Sequence, residues 1–475
     1  MIGIGGSGLS AIARILLESG YTVSGSDRHL SPLAESLQAS GVRVYSGHNP
    51  ENLQGSDLVV RSSAVPDENP EVQAARAAGI PVLKRADFLG QLMSGRQGIA
   101  MAGSHGKTTT TAMVAWMLSA LGQEPSFIIG GVSSNLGANA RAGRGPAFVI
   151  EADEYDRMFL GLSPKIAVVT NLEHDHPDCF PQPEDFYLAF RQFADRLDPE
   201  GVLLACSDDR GAARLAGELA EAGRRVLAYG LERWLGRPCP HYCGIHLNLN
   251  EQGGIDFDFV VDHTRESSSN DQDMFSPSPV FSPVRVSLQV PGRHNVRNAL
   301  AAMAVADLLR LPLFEAAQAL GQFSGTGRRF EIRGEVNGIT VIDDYAHHPT
   351  EIRATLDAAR ARYPGREIWA AWQPHTYSRT RTLLGDFAAS FADADHVLVT
   401  EVFAAREPAP GDFSARQVVQ AMDHPDVHFA PDLASAAEFL SEHLHPGAVL
   451  LVLSAGDADQ ISGQVLEAIE NGLAR

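Results

Sequence analysis

The sequence predicts an α/β protein of three domains: a Rossmann-like N-terminal domain, a central P-loop ATPase-type domain and a C-terminal Rossmann-like α/β domain. Three observations carry this expectation. Short apolar runs alternate with helix-patterned segments along the chain, as parallel α/β units require. Two glycine-rich strand-to-helix turns, at residues 3–8 and 103–111, each open such a unit. The length of 475 residues suits roughly two to four domains.

Composition narrows the function. Hydrophobic residues make up 44% and charged residues 20%, which is globular and excludes a disordered chain. The formal net charge of −20 repels nucleic acid and anionic lipid, so no nucleic-acid partner is expected. A phosphate-bearing ligand then needs a local, specialised pocket. Four cysteines, Cys179, Cys206, Cys239 and Cys243, are too few for a disulfide scaffold and suit a reducing cytosol. No run approaches the roughly 18–20 apolar residues of a membrane span. Residues 1–10 are glycine-rich and lack the basic flank of a secretory signal. A cytoplasmic protein without membrane insertion is expected.

The first block is residues 1–97. Helices are expected at 9–19 and 33–39, and strands at 21–24, 42–45 and 58–61. The strand before Gly3 is almost absent, which predicts a short sheet edge. In Gly3-Ile4-Gly5-Gly6-Ser7-Gly8, glycines let the backbone approach a phosphate whose charge the helix N-terminus stabilises. Gly5, Gly6, Ser7 and Gly8 are the candidate contacts, and Asp27 is placed to accept from ribose hydroxyls. A nucleotide or pyrophosphate ligand follows, with tight packing as the plain alternative. A block this short disfavours a complete dinucleotide fold and NAD.

The second block, 98–323, follows a junction at residues 95–98. A strand at 99–101 feeds Gly103-Ser104-His105-Gly106-Lys107-Thr108-Thr109-Thr110-Thr111 and a helix over 108–120. Backbone N–H groups of such a loop wrap the phosphates of ATP, with Gly103, Ser104, His105, Gly106 and Thr109 in the cradle. Lys107 can bridge the β and γ groups, and the Thr108 hydroxyl can ligate Mg²⁺. Met101 stands where the general pattern has its first glycine, so Gly103 is expected to make the bend. A lysine at a helix start opposes the helix dipole unless an anion is present.

Strands are expected at 147–150, 166–169 and 202–205. Glu151-Ala152-Asp153-Glu154-Tyr155-Asp156 follows the first. Its four acids repel one another unless a cation sits among them, and Mg²⁺ shared with phosphates fits. Asn171-Leu172-Glu173-His174-Asp175-His176-Pro177-Asp178 follows the second. Its mixture of donors admits zinc, and the neighbouring phosphate loop favours a second Mg²⁺. Glu151 and His176 are the candidate ligands; Glu154, Asp175 and Asp178 are open between direct and supporting roles. Cys239, His241, Cys243 and His246 match no zinc spacing, and their alternation suits a strand. Residues 263–283, rich in Ser, Pro and Asp, read as a mobile surface loop. Near the end of the block, His294, Asn295 and Asn298 suit an adenine ring, with a helix cap at Asn295 as the alternative.

The third block, 324–475, has strands expected at 340–342, 368–372, 396–400 and 449–453. Arg328 and Arg329 lie beside the junction, where an arginine can reach a γ-phosphate across a cleft; a solvated basic turn is the alternative. Asp343-Asp344-Tyr345-Ala346-His347-His348-Pro349-Thr350 and Gln373-Pro374-His375-Thr376-Tyr377-Ser378-Arg379-Thr380 follow strands, where open α/β sheets bind ligands. Their groups suit a small carboxylate- or amine-bearing substrate.

Taken together and in this order, these motifs resemble the Mur ligases over nearly the whole chain. The resemblance implies an ATP-dependent, amide-forming enzyme of peptidoglycan synthesis, with UDP-sugar, ATP and amino acid bound by the first, second and third domains. It implies ATP and Mg²⁺ as cofactors and UDP-N-acetylmuramate and L-alanine as substrates, in a monomer or homodimer. Lys107, Glu151, His176 and Arg329 take the catalytic roles; Tyr345, His347, His375 and Arg379 are placed at the substrate. Residues 186–196 contain no lysine where related ligases carbamylate one, as in the alanine-adding branch. Residues 373–379 also resemble that branch. Tyr155, where many of that branch have serine, keeps a tripeptide-recycling ligase as runner-up. A nicotinamide-dependent oxidoreductase would leave residues 103–111 without a role.

Overall fold

The computed structural model describes residues 1–231, 241–262 and 283–472. Cys239 and the expected loop at 263–283, apart from Pro283, lie outside the described residues.

Three sheets follow one another along the chain. In the first, Arg43–Ser46, Ser24–Asp27, Ile2, Val59–Arg61 and Val82–Lys84 lie side by side and parallel. Ile2 bridges both Ser26 and Arg61, so the short strand is central rather than the edge expected from its length. Burial explains this: Ile2 sits among Val59, Val65 and Val72. The strand expected at 21–24 lies at Ser24–Asp27. Its Ser-Gly-Ser-Asp sequence carries no apolar signal; neighbouring strands hold it extended. Gly25 is needed there because a Cβ would stand 2.5 Å from Ile4 Cδ1.

The middle sheet has ten strands, in the order Val284–Ser287, Ile255–Val261, Tyr242–Leu249, Val226–Gly230, Val202–Cys206, Ile166–Val169, Gln97–Ala102, Ala147–Glu151, Ser126–Ser133 and Ala138–Arg141. Its centre is parallel and antiparallel strands widen both ends. Tyr242–Leu249 is the strand the Cys/His alternation predicts, and its exposed His246 pairs with Asp258. The helices Lys107–Ala120 and Arg293–Leu308 are buried almost all round on one face. On the other face, Leu9, Ile12 and Ile15 of the first-domain helix Ser7–Glu18 join the core and fix the first domain against the second.

The third sheet runs Glu331–Val336, Ile339–Asp344, Val449–Leu453, Ile368–Trp372, His396–Thr400 and Val427–Ala430, parallel except for the first strand. Both faces are covered, so its central strands are continuous apolar runs. The motifs of the second and third domains leave the carboxyl ends of parallel strands, which is where such sheets bind ligands.

Candidate active site

The strand Gln97–Ala102 ends at Gly103 (φ +137°), and Gly106 (φ +80°) turns the chain into the helix Lys107–Ala120. A Cβ at Gly103 would stand 2.0 Å from Thr170 Oγ1, and one at Gly106 2.7 Å from Asn298 Oδ1. Gly103 thus makes the bend that Met101 cannot. The neighbouring segment pins the loop: the His105 N–H donates to Asn171 Oδ1 at 2.8 Å, and the Thr170 hydroxyl donates to the His105 carbonyl at 2.6 Å. Lys107 Nζ donates to the Gly103 and Ser104 carbonyls at 2.5 and 3.0 Å and pairs with Glu154 Oε1 at 2.9 Å. Burial works against its charge, but Glu154 and Glu151 outweigh burial and raise its pKa. Lys107 is therefore a fixed cation.

Glu151 ends the adjacent strand. Its Oε1 accepts from the Thr108 hydroxyl at 3.1 Å and its Oε2 from the Gly130 N–H at 2.8 Å. Burial raises the pKa of Glu151 against the pull of Lys107 and Gly130. His176, at φ +55°, stands 3.4 Å from Glu154 Oε1, so Lys107 and His176 share that oxygen. Burial opposes its protonation, and Asp175 and Glu154 together raise its pKa. A hydroxyl and a carboxylate beside a phosphate loop form a hard, oxygen-rich donor set that fits Mg²⁺. Thr108, Glu151, His176 and Lys107 line one cleft of about 750 Å³.

A second cavity, about 360 Å³, opens behind the loop and is lined by His105, Gly106, Thr109, His294, Asn295, Asn298 and Arg329. Burial, with help from Arg297 and Arg329, pushes His294 down to about 4, so it is a neutral aromatic surface. Asn295 is not the helix cap: Gly292 holds that position, and Asn295 Nδ2 donates to the Pro291 carbonyl at 2.7 Å. Asn298 Nδ2 donates to Asn295 Oδ1, and its Oδ1 accepts from the Thr110 hydroxyl, both at 3.1 Å. These amides clasp the two buried helices together as well as lining the cavity.

The third domain closes the cleft. Arg328, held by the Ser454 and Gly456 carbonyls, lines the main cleft, and Arg329 lines both cavities. Burial pushes Asp344 up to about 6, and its two oxygens accept from the Phe330 and Ala346 N–H groups at 2.8 Å. His347 is pushed down to about 3 by burial, which with Arg379 outweighs Glu351, and His375 to about 4 by burial and Arg379. Tyr345, His347, His375 and Arg379 all face the cleft. Arg379 grips Asp175 Oδ1 through Nε at 2.9 Å and Nη2 at 2.8 Å, both residues only 4% exposed. Of the first glycine turn, Ser7 lines the cleft; Gly5, Gly6 and Gly8 do not. Asp27, expected at a ribose, has Oδ2 engaged by the Gly5 N–H at 2.8 Å and so shapes the turn itself.

Three family models match the chain in series: "Mur ligase family, catalytic domain" over 1–97, "Mur ligase middle domain" over 101–306 and "Mur ligase, glutamate ligase domain" over 328–456. A UDP-N-acetylmuramate–L-alanine ligase of Roseiflexus castenholzii is 43% identical, covering 99% of this chain and 97% of its own. The chain belongs to the Mur ligase family. A Salinibacter ruber protein of the same name is 42% identical, with 99% and 94% coverage. Among solved structures, this Mur ligase is similar to the UDP-N-acetylmuramate-alanine ligase MurC of Thermotoga maritima (TM-score 0.77, 27% identity, 99% and 98% coverage). It is also similar to a murein peptide ligase of Psychrobacter arcticus (TM-score 0.67, 25% identity, 99% and 98% coverage).

Sequence reasoning assigned no individual role to four charged residues in and around this Mur ligase's cleft. Arg85 lies against the first glycine turn, where a Cβ on Gly8 would meet its Nη1 at 1.6 Å, and stands 3.7 Å from Asp153. Arg406 donates to the Tyr155 hydroxyl at 3.0 Å. Glu173 and Glu351 flank His105, each at 3.2 Å. Glu351 lies one residue beyond the motif at 343–350, where His-Pro-Thr-Glu at 348–351 signals a helix start, and nothing local marks its carboxylate as part of a site.

Proposed function

We propose that this Mur ligase joins L-alanine to the carboxylate of UDP-N-acetylmuramate, driven by ATP, as a cytoplasmic step in peptidoglycan precursor synthesis. The observation that carries the reading is the shared lining of one cleft: Ser7 from the first domain, Lys107, Glu151 and His176 from the second, His347, His375 and Arg379 from the third. Residues 1–97 hold the UDP-sugar, 98–323 the ATP and 324–475 the amino acid. The names of the 42–43% identical relatives support the alanine-adding reading over tripeptide recycling.

A carboxylate is a poor electrophile. The substrate carboxylate takes the γ-phosphoryl group, ADP leaves, and an acyl phosphate results. The alanine amine, having lost a proton, then attacks the carbonyl carbon and phosphate departs. Lys107 fixes phosphate oxygens and neutralises charge that develops in the transfer. Thr108 and Glu151 would hold one Mg²⁺ and His176 a second, and the ions would supply positive charge against the phosphates. Gly103, Ser104, His105, Gly106 and Thr109 cradle phosphates. His294, Asn295 and Asn298 face the adenine, and Arg329 reaches phosphate from the third domain. Gly5, Gly6, Ser7, Gly8 and Asp27 form the UDP-sugar turn; Tyr345, His347, His375 and Arg379 form the acceptor pocket.

The test is phosphate release with UDP-N-acetylmuramate and ATP against a panel of single amino acids and the recycled tripeptide. Release with L-alanine is expected. Release with the tripeptide alone would reassign the chain to the recycling branch. ATP binding without release under any acceptor would make it a nucleotide-regulated binding module.

A further inference from the structure

Glu351 stands in the first turn of the helix Pro349–Arg362, 11% exposed at its side chain. Its two oxygens face different sites. Oε1 lies 3.2 Å from Nδ1 of His105 in the phosphate loop and 3.7 Å from Nη1 of Arg329. Oε2 accepts from the His347 backbone N–H at 3.1 Å and lies 3.3 Å from His347 Nδ1. Glu351 lines both the nucleoside-side cavity and the main cleft, as do His105 and Arg329, whereas His347 lines the main cleft alone. The other groups around it are Glu173, whose Oε2 lies 3.2 Å from His105 Nε2, and His348, whose ring centroid lies 4.7 Å from that of His105 with the two planes tilted by 41°.

We propose that Glu351 is a positioning residue that couples the nucleotide site to the acceptor site, one carboxylate oxygen serving each. The physical reason is geometric. A carboxylate fixed by His105 and Arg329 on one oxygen presents the other at a defined place to His347. Ordering of the phosphate loop is thereby transmitted to the acceptor pocket through a rigid, planar group. A residue shared by two sites makes their binding free energies interdependent, and that interdependence is reciprocal. Glu351 has no role in bond making here; it sets where His105, Arg329 and His347 stand. The inference deepens the ligase reading above and rests on it for the identity of the acceptor.

The experiment is a double-mutant cycle on the full chain with His105→Asn, Glu351→Gln and the pair. His105 shares the main cleft but, among the described residues, makes no hydrogen bond to Tyr345, His347, His375 or Arg379, so His105→Asn should raise the KM for L-alanine only while Glu351 is present to relay the change. In the wild type, saturating L-alanine should tighten a nonhydrolysable ATP analogue with Mg²⁺ by about fivefold or more, as calorimetry reads it. Glu351→Gln should abolish that linkage, while the KM for UDP-N-acetylmuramate stays put. Additive effects of the two substitutions on the KM for L-alanine, or linkage that survives in Glu351→Gln, would overturn the proposal. The binding arm needs no turnover. A wild-type chain that releases no phosphate yet retains the linkage would therefore sink the ligase reading and leave this inference supported.

Discussion

At the residue scale, the second and third domains are joined by a few buried charges with defined partners. Lys107 is held by two loop carbonyls and Glu154, so a cation is kept where a phosphate loop needs one. Lys107→Ala should lower kcat by at least about 10²–10³-fold, with circular dichroism unchanged. The Arg379–Asp175 pair is buried on both sides, so Arg379→Ala strands a carboxylate. That should cost about 3–5 kcal/mol, read as a fall in Tm. An Asp175→Leu, Arg379→Met double variant should recover most of that stability and none of the activity. His105 has a definite pH signature. Burial opposes its charge, Glu351 and Glu173 outweigh it, and its pKa rises from 6.5 to about 9. A proton held more tightly in the folded state stabilises below the unfolded pKa, and the benefit disappears as pH rises through about 9. Glu173, drawn down to about 2 because His105, His348 and Thr350 outweigh burial, loses its contribution only as pH falls from 4.5 toward that value. Between pH 6.5 and 9 the wild-type Tm should therefore fall relative to His105→Gln.

At the element scale, strand ends decide the chemistry. The expected strands at 166–169, 368–372, 396–400 and 449–453 coincide with Ile166–Val169, Ile368–Trp372, His396–Thr400 and Val449–Leu453. These strands are covered on both faces and consist almost wholly of apolar residues, which is why they are legible. Ser24–Asp27 and Ile2 were misread because their pairing comes from neighbours and not from their own side chains. The strand Ser126–Ser133 contributes one element of the candidate metal region that carries no motif at all: the Gly130 N–H holds Glu151. A Cβ at Gly130 would stand 2.5 Å from Glu151 Oε2. Gly130→Ala should therefore displace that carboxylate and raise the Mg²⁺ concentration needed for half-maximal activity, with little change in the KM for L-alanine. An unchanged Mg²⁺ requirement would remove Glu151 from the metal.

At the scale of the whole molecule, the cleft exists because three sheets present loops to one volume. Ligands that bind across it should stabilise the chain by linkage. An ATP analogue with Mg²⁺ at 100 times its Kd should add about 2.7 kcal/mol, seen as a rise in Tm that Lys107→Ala abolishes. The sequence by itself determined the phosphate loop, the acid and histidine segments after the next strands, and the three-block order. These signals are local, since glycine, lysine and clustered acids at strand ends have few other physical uses. Only the tertiary structure decided that Asp175 clasps Arg379, that Gly130 holds Glu151, and that Glu351 faces His105 and His347 at once. Those partners come from segments far apart in the chain, and distance along a sequence carries no information about which strand ends will meet.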